Sequence, residues 1–214
     1  MRPSDIIFLQ ETHSTALDEI IYSREWRGAR YWSHCDSRSA GTAILFSDKF
    51  QPTISQIVQD DNGPYIIVII ESLDNIPYAL CNVYAPSGGT HKSLRKEFFS
   101  QLEQTLKDFN LTNYIIGGDF NCILDDSLDR NIPPTGNSDA AQRNLFLRSL
   151  HKFFFTHANL IVCGDFNSYD NVRDNFGGNP ALSSDFLNLK SNLGLIDAWR
   201  FKNPRLSGLI LIFL

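Results

Sequence analysis

The stretch YIIGGDFNCIL, Tyr114 to Leu124, returns further along the chain as LIVCGDFNSYD, Leu160 to Asp170, and its reading decides the fold. Each time an apolar run ends on Gly-Asp-Phe-Asn. An Asp and an Asn two positions apart at the end of a strand project to the same side of a sheet. Strand ends and the loops that follow them are where binding and catalytic groups gather on a rigid scaffold. One such pair can serve a site, and a second pair needs a second site, another role or a duplicated segment.

The repeat is longer than the tetrapeptide. Asn113 and Asn159, Gly118 and Gly164, Asp119 and Asp165, and Asn121 and Asn167 share an offset of 46 residues, which Pro134 with Pro180, Ser138 with Ser184 and Leu147 with Leu193 continue. Both copies read as strand, loop and Ser-capped helix, through SDAAQRNLFLRSLHKF and SSDFLNLKSNLGLIDAW. Solenoids need at least three such units to bury a continuous core. The chain therefore divides into a main part, residues 1–158, and a duplicated unit with an atypical tail, residues 159–214.

Upstream, IIFLQ at 6–10, GTAILFS at 41–47, PYIIVIIES at 64–72 and YALCNVYAP at 78–86 read as strands, as does YIIGG at 114–118. Several are too uniformly apolar to expose one face. Between the last two, Leu94, Phe98, Leu102, Leu106 and Phe109 recur at helical spacing behind Ser93, the expected cap. This pattern predicts a mixed α/β fold with a layered core.

With 214 residues, 43% of them hydrophobic, the chain can form one substantial domain. A net charge of -5 gives no bulk attraction to nucleic acid, so polyanion binding would rest on local basic positions or a metal. Cys35, Cys81, Cys122 and Cys163 show no CxxC spacing, and three lie in or beside apolar runs, which predicts reduced thiols and an intracellular setting. The first ten residues lack a signal-peptide pattern, and the closing GLILIFL is far short of the roughly 20 apolar residues of a membrane span. No obligate protein partner is evident.

Glu11 follows IIFLQ directly, as Asp119 follows YIIGG. A single carboxylate at a strand end is more often a solvated terminus. Two of them at the ends of buried strands point to a gathering of oxygen ligands of the kind hard divalent cations require. Asn82 and Tyr84 lie two apart in CNVYAPSGG, before a turn. Tyr84 suits either a core packing role or a neutral hydrogen bond to a phosphoryl oxygen.

Taken in order, DIIFLQETH, AGTAILFSD, CNVYAPSGG and IIGGDFNCILDDSLDR resemble the apurinic-type endonuclease domain of non-LTR (LINE-type) retrotransposons, in the endonuclease/exonuclease/phosphatase superfamily. The resemblance covers residues 4 to 204. It implies a two-sheet α/β sandwich whose strand-end loops cut DNA phosphodiesters with Mg²⁺ or Mn²⁺. Carried over motif by motif, it makes Glu11 the metal ligand and places Tyr84 on the scissile phosphate. Asp119 and Asn121 would orient or deprotonate the attacking water and hold the phosphate, with Asp165 and Asn167 as a possible duplicate site. Arg38, and Lys92 in HKSLRK, are weaker candidates for DNA backbone contact.

The family pattern also has an Asn-bearing strand before the Glu motif and, at its end, an Asp-bearing strand and a Ser-Asp-His segment. None of these occurs here, so the sandwich is expected to be incomplete at both ends. None of His13, His34, His91, His151 and His157 stands in a Ser-Asp-His segment, so no histidine takes the family's catalytic role. The family carries the GDFN unit once. The first copy continues naturally from the upstream motifs and is expected to occupy the sheet beside Glu11. The expected function is a retrotransposon-derived, metal-dependent DNA endonuclease domain, truncated and weakly active or inactive, in the nucleus. The alternative is a non-catalytic remnant that binds nucleic acid or protein.

Overall fold

A computed structural model describes residues 5–35, 40–72, 75–86, 92–121, 159–165, 187–188, 190–191, 194, 196 and 211–213. They fall into two compact units, Met1–Tyr84 with Leu111–Asp119, and Ala85–Asn110 with Phe120–Leu214.

The first unit is built on two sheets. In the smaller, the central strand β3 (Thr42–Phe46) pairs antiparallel with β1 (Ile6–Gln10) on one side and β2 (Arg30–Ser33) on the other. The larger contains β4 (Thr53–Gln59), β5 (Tyr65–Glu71), β6 (Pro77–Tyr84) and β7 (Asn113–Asp119), paired in that order. The β6–β7 pairing is parallel and the other two are antiparallel. Parallel neighbours need a long crossover. Residues 85–112, which contain the 17-residue helix α2 (Lys92–Asp108), supply its length.

Period-2 alternation explains why the sheets stack. Every residue of β3 is buried: Ile44 and Phe46 pack with Ile66, Val68, Ile70 and Leu80 of the larger sheet, while Ala43 and Leu45 join Trp32 in a cluster on the opposite face. Each large side chain in this interlayer core contributes about 1.5–3 kcal/mol of transfer free energy. The layered core read from the apolar runs, and the two-sheet sandwich implied by the resemblance, are thus the observed architecture.

β2 and β4, and the helix α1 (Asp18–Glu25), lack the long apolar run or helical stripe on which the sequence reading relied. β2 has four residues, β4 is largely exposed with a bulge between Ile54 and Gln56, and α1 buries no residue. At the start of α1, Asp18 Oδ2 accepts from the Thr15 N–H and hydroxyl at 2.7 and 2.8 Å, which closes the turn leading into the helix.

In the second unit, α2 buries Phe98, Leu102 and Leu106, the stripe expected from their spacing. Ser93 lies inside the helix, as its second residue, rather than preceding it, so the expected cap is two residues too late. β8 (Asn159–Asp165) is the strand of the second GDFN copy and pairs antiparallel with β9 (Leu211–Phe213) in the atypical tail. The helix expected over SDAAQRNLFLRSLHKF lies outside the described residues, as does most of the one over SSDFLNLKSNLGLIDAW.

Candidate active site

The two sheets are joined through a buried carboxamide. Asn82, on β6 and fully buried, donates from Nδ2 to the Leu9 carbonyl at 2.7 Å and the Ala43 carbonyl at 2.8 Å. Its Oδ1 accepts from Gln10 Nε2 at 2.5 Å. A polar side chain inside ALCNVY is thus fully satisfied, as a buried amide must be. It fixes the end of β1 against β6. The sequence signal was an Asn interrupting an apolar run, although nothing local named its partners.

One residue beyond Gln10, Glu11 leaves β1 in the left-handed region, with φ 50°. Its Oε1 accepts a hydrogen bond from the Tyr84 hydroxyl at 2.5 Å. Tyr84 is the last residue of β6, and its register partner in β7 is Asp119, the last residue of that strand. Neighbouring strands lie about 4.8 Å apart. Glu11, Tyr84 and Asp119 therefore stand at one end of the first unit, at the exits of three strands.

Gly118 makes this close approach possible. Its φ is +135°, and a Cβ there would lie 1.9 Å from the Val83 carbonyl oxygen. Only glycine lets β7 lie this close to β6 just before delivering Asp119. Gly164 has the same φ of 135°, so the second copy reproduces the backbone of the first one residue before Asp165.

In the second unit, Asn121 also has a left-handed backbone, φ 43°, and its Nδ2 donates to the Ala85 carbonyl at 2.8 Å. That bond ties the second residue after β7 to the first residue after β6. The Asp165 side chain is not described, and Asn167 and Arg38 lie outside the described residues. Lys92 is the first residue of α2, its side chain likewise not described.

Among the described residues, no group of three or more His, Cys, Asp and Glu side chains has metal-binding geometry. The donor chemistry at the strand ends still fits a small hard cation. Glu11, Tyr84 and Asp119 offer oxygen atoms only, and Mg²⁺ characteristically binds through one or two carboxylates while keeping waters for substrate phosphate to replace. Burial raises the pKa of the thiols of Cys81 and Cys163. Among the described residues, Cys81 and Cys163 are free cysteines, and no helix is long and apolar enough to cross a membrane.

Comparison with known proteins agrees with this architecture. A profile of the Endonuclease/Exonuclease/phosphatase family matches residues 1–208. The chain is 36% identical over 134 residues to the Transposon TX1 uncharacterized 149 kDa protein of Xenopus laevis, a match covering 62% of this chain and 10% of that protein. The chain thus corresponds to about a tenth of that relative's length. Among solved structures, 3′ phosphatase NExo from Neisseria, bound to a product DNA hairpin, is 14% identical with a TM-score of 0.51, covering 99% of this chain and 76% of that one. Truncated TDP2 of Caenorhabditis elegans is 23% identical with a TM-score of 0.40, covering 62% of this chain and 53% of the other. The resemblance read from the four sequence motifs is met by the family profile and by the transposon relative.

Proposed function

The chain belongs to the endonuclease/exonuclease/phosphatase family, and we propose on that premise that its strand-end site hydrolyses DNA phosphodiesters with a divalent cation, Mg²⁺ or Mn²⁺. The observation that carries the reading is the Glu11–Tyr84 hydrogen bond, made beside the register position of Asp119. The transposon relative favours DNA over a phosphorylated small molecule.

In this reading Glu11 holds the cation through its carboxylate oxygens. A bound cation supplies charge neutralisation at the phosphoryl oxygens. The Tyr84 hydroxyl, a neutral donor already oriented by Glu11, turns to a phosphoryl oxygen. Asp119 aligns the attacking water and accepts its proton. Asn121, fixed through its amide on the Ala85 carbonyl, holds the phosphate. Asp165 and Asn167 belong to a peripheral repeat, and Arg38 and Lys92 are secondary contacts to the DNA backbone. Action on DNA sets the place of work in the nucleus.

Turnover by these 214 residues alone is low, because none of the five histidines stands in a Ser-Asp-His segment. Loss of one positioned acid, base or donor commonly costs about 10² or more in rate. The test is nicking of supercoiled plasmid with Mg²⁺ or Mn²⁺, alongside Mn²⁺ binding read by electron paramagnetic resonance. The expected result is slow nicking that EDTA and Glu11→Gln abolish, with Glu11→Gln also weakening Mn²⁺ binding. A chain that neither nicks DNA nor binds Mn²⁺ would refute the nuclease reading in favour of a non-catalytic binding role.

A further inference from the structure

We infer that His34 is a positioning residue for the Glu11 end of the site, acting through a hydrogen-bond relay that runs Thr12–Ser14–His34–Glu19. Its functional meaning rests on the reading of Glu11 as the metal-binding carboxylate. Its geometry stands independently.

The segment after β1 has an uncommon backbone. Glu11 and His13 both have positive φ, 50° and 47°, and neither is a glycine. Such conformations persist only where the surroundings over-determine them, and they concentrate at functional sites. Backbone bonds hold part of the segment: the N–H groups of Thr12 and His13 donate to the carbonyls of Gly41 and Ala40 at 3.2 and 3.1 Å. Those bonds fix the strip between the two strained residues. They do not fix the next residue, Ser14, which is 1% exposed and whose hydroxyl must find partners inside the protein.

The relay supplies them. Thr12 Oγ1 and Ser14 Oγ lie 2.9 Å apart, Ser14 Oγ is 3.0 Å from His34 Nδ1, and His34 Nε2 is 2.7 Å from Glu19 Oε1. A carboxylate only accepts, so Nε2 carries the proton facing Glu19. In the neutral ring, Nδ1 then accepts from the Ser14 hydroxyl, whose oxygen accepts from Thr12. Every hydrogen in the chain thus has one direction. The ring is held in place by stacking on Trp32, centroids 5.9 Å apart and planes 9° from parallel, and Trp32 in turn stacks on Tyr22 of α1 at 5.2 Å. Glu19 is held by α1, whose first turn is tied down by Thr15 and Asp18.

The relay therefore anchors the residues directly after Glu11 to a histidine 20 residues past Ser14 and to a helix that packs little else. The outer pair adds little to stability. Glu19 is 44% exposed, and ion pairs of that exposure are worth little. The consequence of the arrangement is at Glu11: where its carboxylate stands determines whether Tyr84 meets it. Residues that orient a ligand from behind commonly change metal affinity 10- to 100-fold when removed, by the order of magnitude known for second-layer partners.

The test uses the full chain labelled with ¹³Cζ-tyrosine. Tyr84→Phe assigns the Tyr84 resonance, and Glu11→Gln gives its position without the carboxylate acceptor. His34→Ala is expected to move the Tyr84 resonance most of the way to the Glu11→Gln position and to weaken Mn²⁺ binding about tenfold. His34→Gln, which keeps a donor and an acceptor on one planar group, should restore both toward the original values. Glu19→Ala, at an exposed position that a folded chain tolerates, should move the resonance in the same direction by a smaller amount. A Tyr84 resonance unmoved in His34→Ala overturns the inference. If His34→Ala does not fold, an unmoved resonance in Glu19→Ala overturns it instead. A chain that binds no Mn²⁺ overturns the metal reading of Glu11, while the Tyr84 resonance still decides the relay.

Discussion

Replacing Asn82 by Asp changes one atom and should reverse the sign of a junction between two sheets. In the native chain the Asn82 amide donates to two buried carbonyls and accepts from Gln10, all at hydrogen-bonding distance. Each such bond is worth about 0.5–1.5 kcal/mol net, and each buried partner left unpaired costs about 1–3 kcal/mol. Asn82→Ala removes three bonds, so at that net value it should destabilise by about 1.5–4.5 kcal/mol, a large share of the roughly 5–15 kcal/mol typical of a domain. Asn82→Asp keeps the volume but, when ionised, faces the Leu9 and Ala43 carbonyls with oxygens that cannot donate. Burial and these two acceptors raise the folded-state pKa above the unfolded value of about 3.9. A raised folded pKa means the variant keeps its stability below about pH 3.9 and loses it as pH rises through the folded pKa. Urea denaturation followed by tryptophan fluorescence, with the native chain measured at each pH, isolates the effect. The destabilisation of Asn82→Asp relative to native should grow from pH 4 to pH 8. Equal destabilisation at both, or Asn82→Ala within about 1 kcal/mol of native, would refute the argument that this amide joins the sheets.

Gly118→Ala should cost about 4 kcal/mol or more, since a Cβ meets backbone rather than a movable side chain. Gly194→Ala, where φ is +64° but nothing lies within 4 Å, should cost only the roughly 1–2 kcal/mol of a left-handed conformation. Similar thermal shifts for the two would show that the β6–β7 approach is not tight. Asp119→Ala should slow Mn²⁺-dependent nicking at least tenfold and Asp165→Ala less than twofold; the reverse pattern would assign the site to the second copy. Cys81 is fully buried and burial raises its thiol pKa, so at pH 8 its alkylation should await unfolding while Cys35, partly exposed, reacts in the folded chain. Equal rates for the two cysteines, read by peptide mass spectrometry, would contradict the packing of β6.

The strands carrying the site were legible in the sequence because each is a continuous apolar run closed by a polar or turn-forming residue. That signal is local: IIFLQ, GTAILFS, PYIIVIIES, YALCNVYAP and YIIGG became β1, β3, β5, β6 and β7, with Glu11, Tyr84 and Asp119 at strand exits. α2 was legible for the same reason, its stripe recurring at helical spacing, although its start lies two residues earlier than the expected Ser93 cap implies. β2, β4 and α1 were not, being too short, too polar or without a buried stripe, and they form because neighbouring elements give them partners. What only the tertiary structure decided is which groups meet. Register places Tyr84 opposite Asp119, and the sandwich brings the Tyr84 hydroxyl to a carboxylate 73 positions earlier. The same holds for Asn82 on Leu9 and Ala43, and for Ser14 on His34. Hydrophobic patterning fixes the identity of an element from its neighbours in the chain, whereas the direction of a hydrogen bond between distant residues is set by how sheets pair and stack.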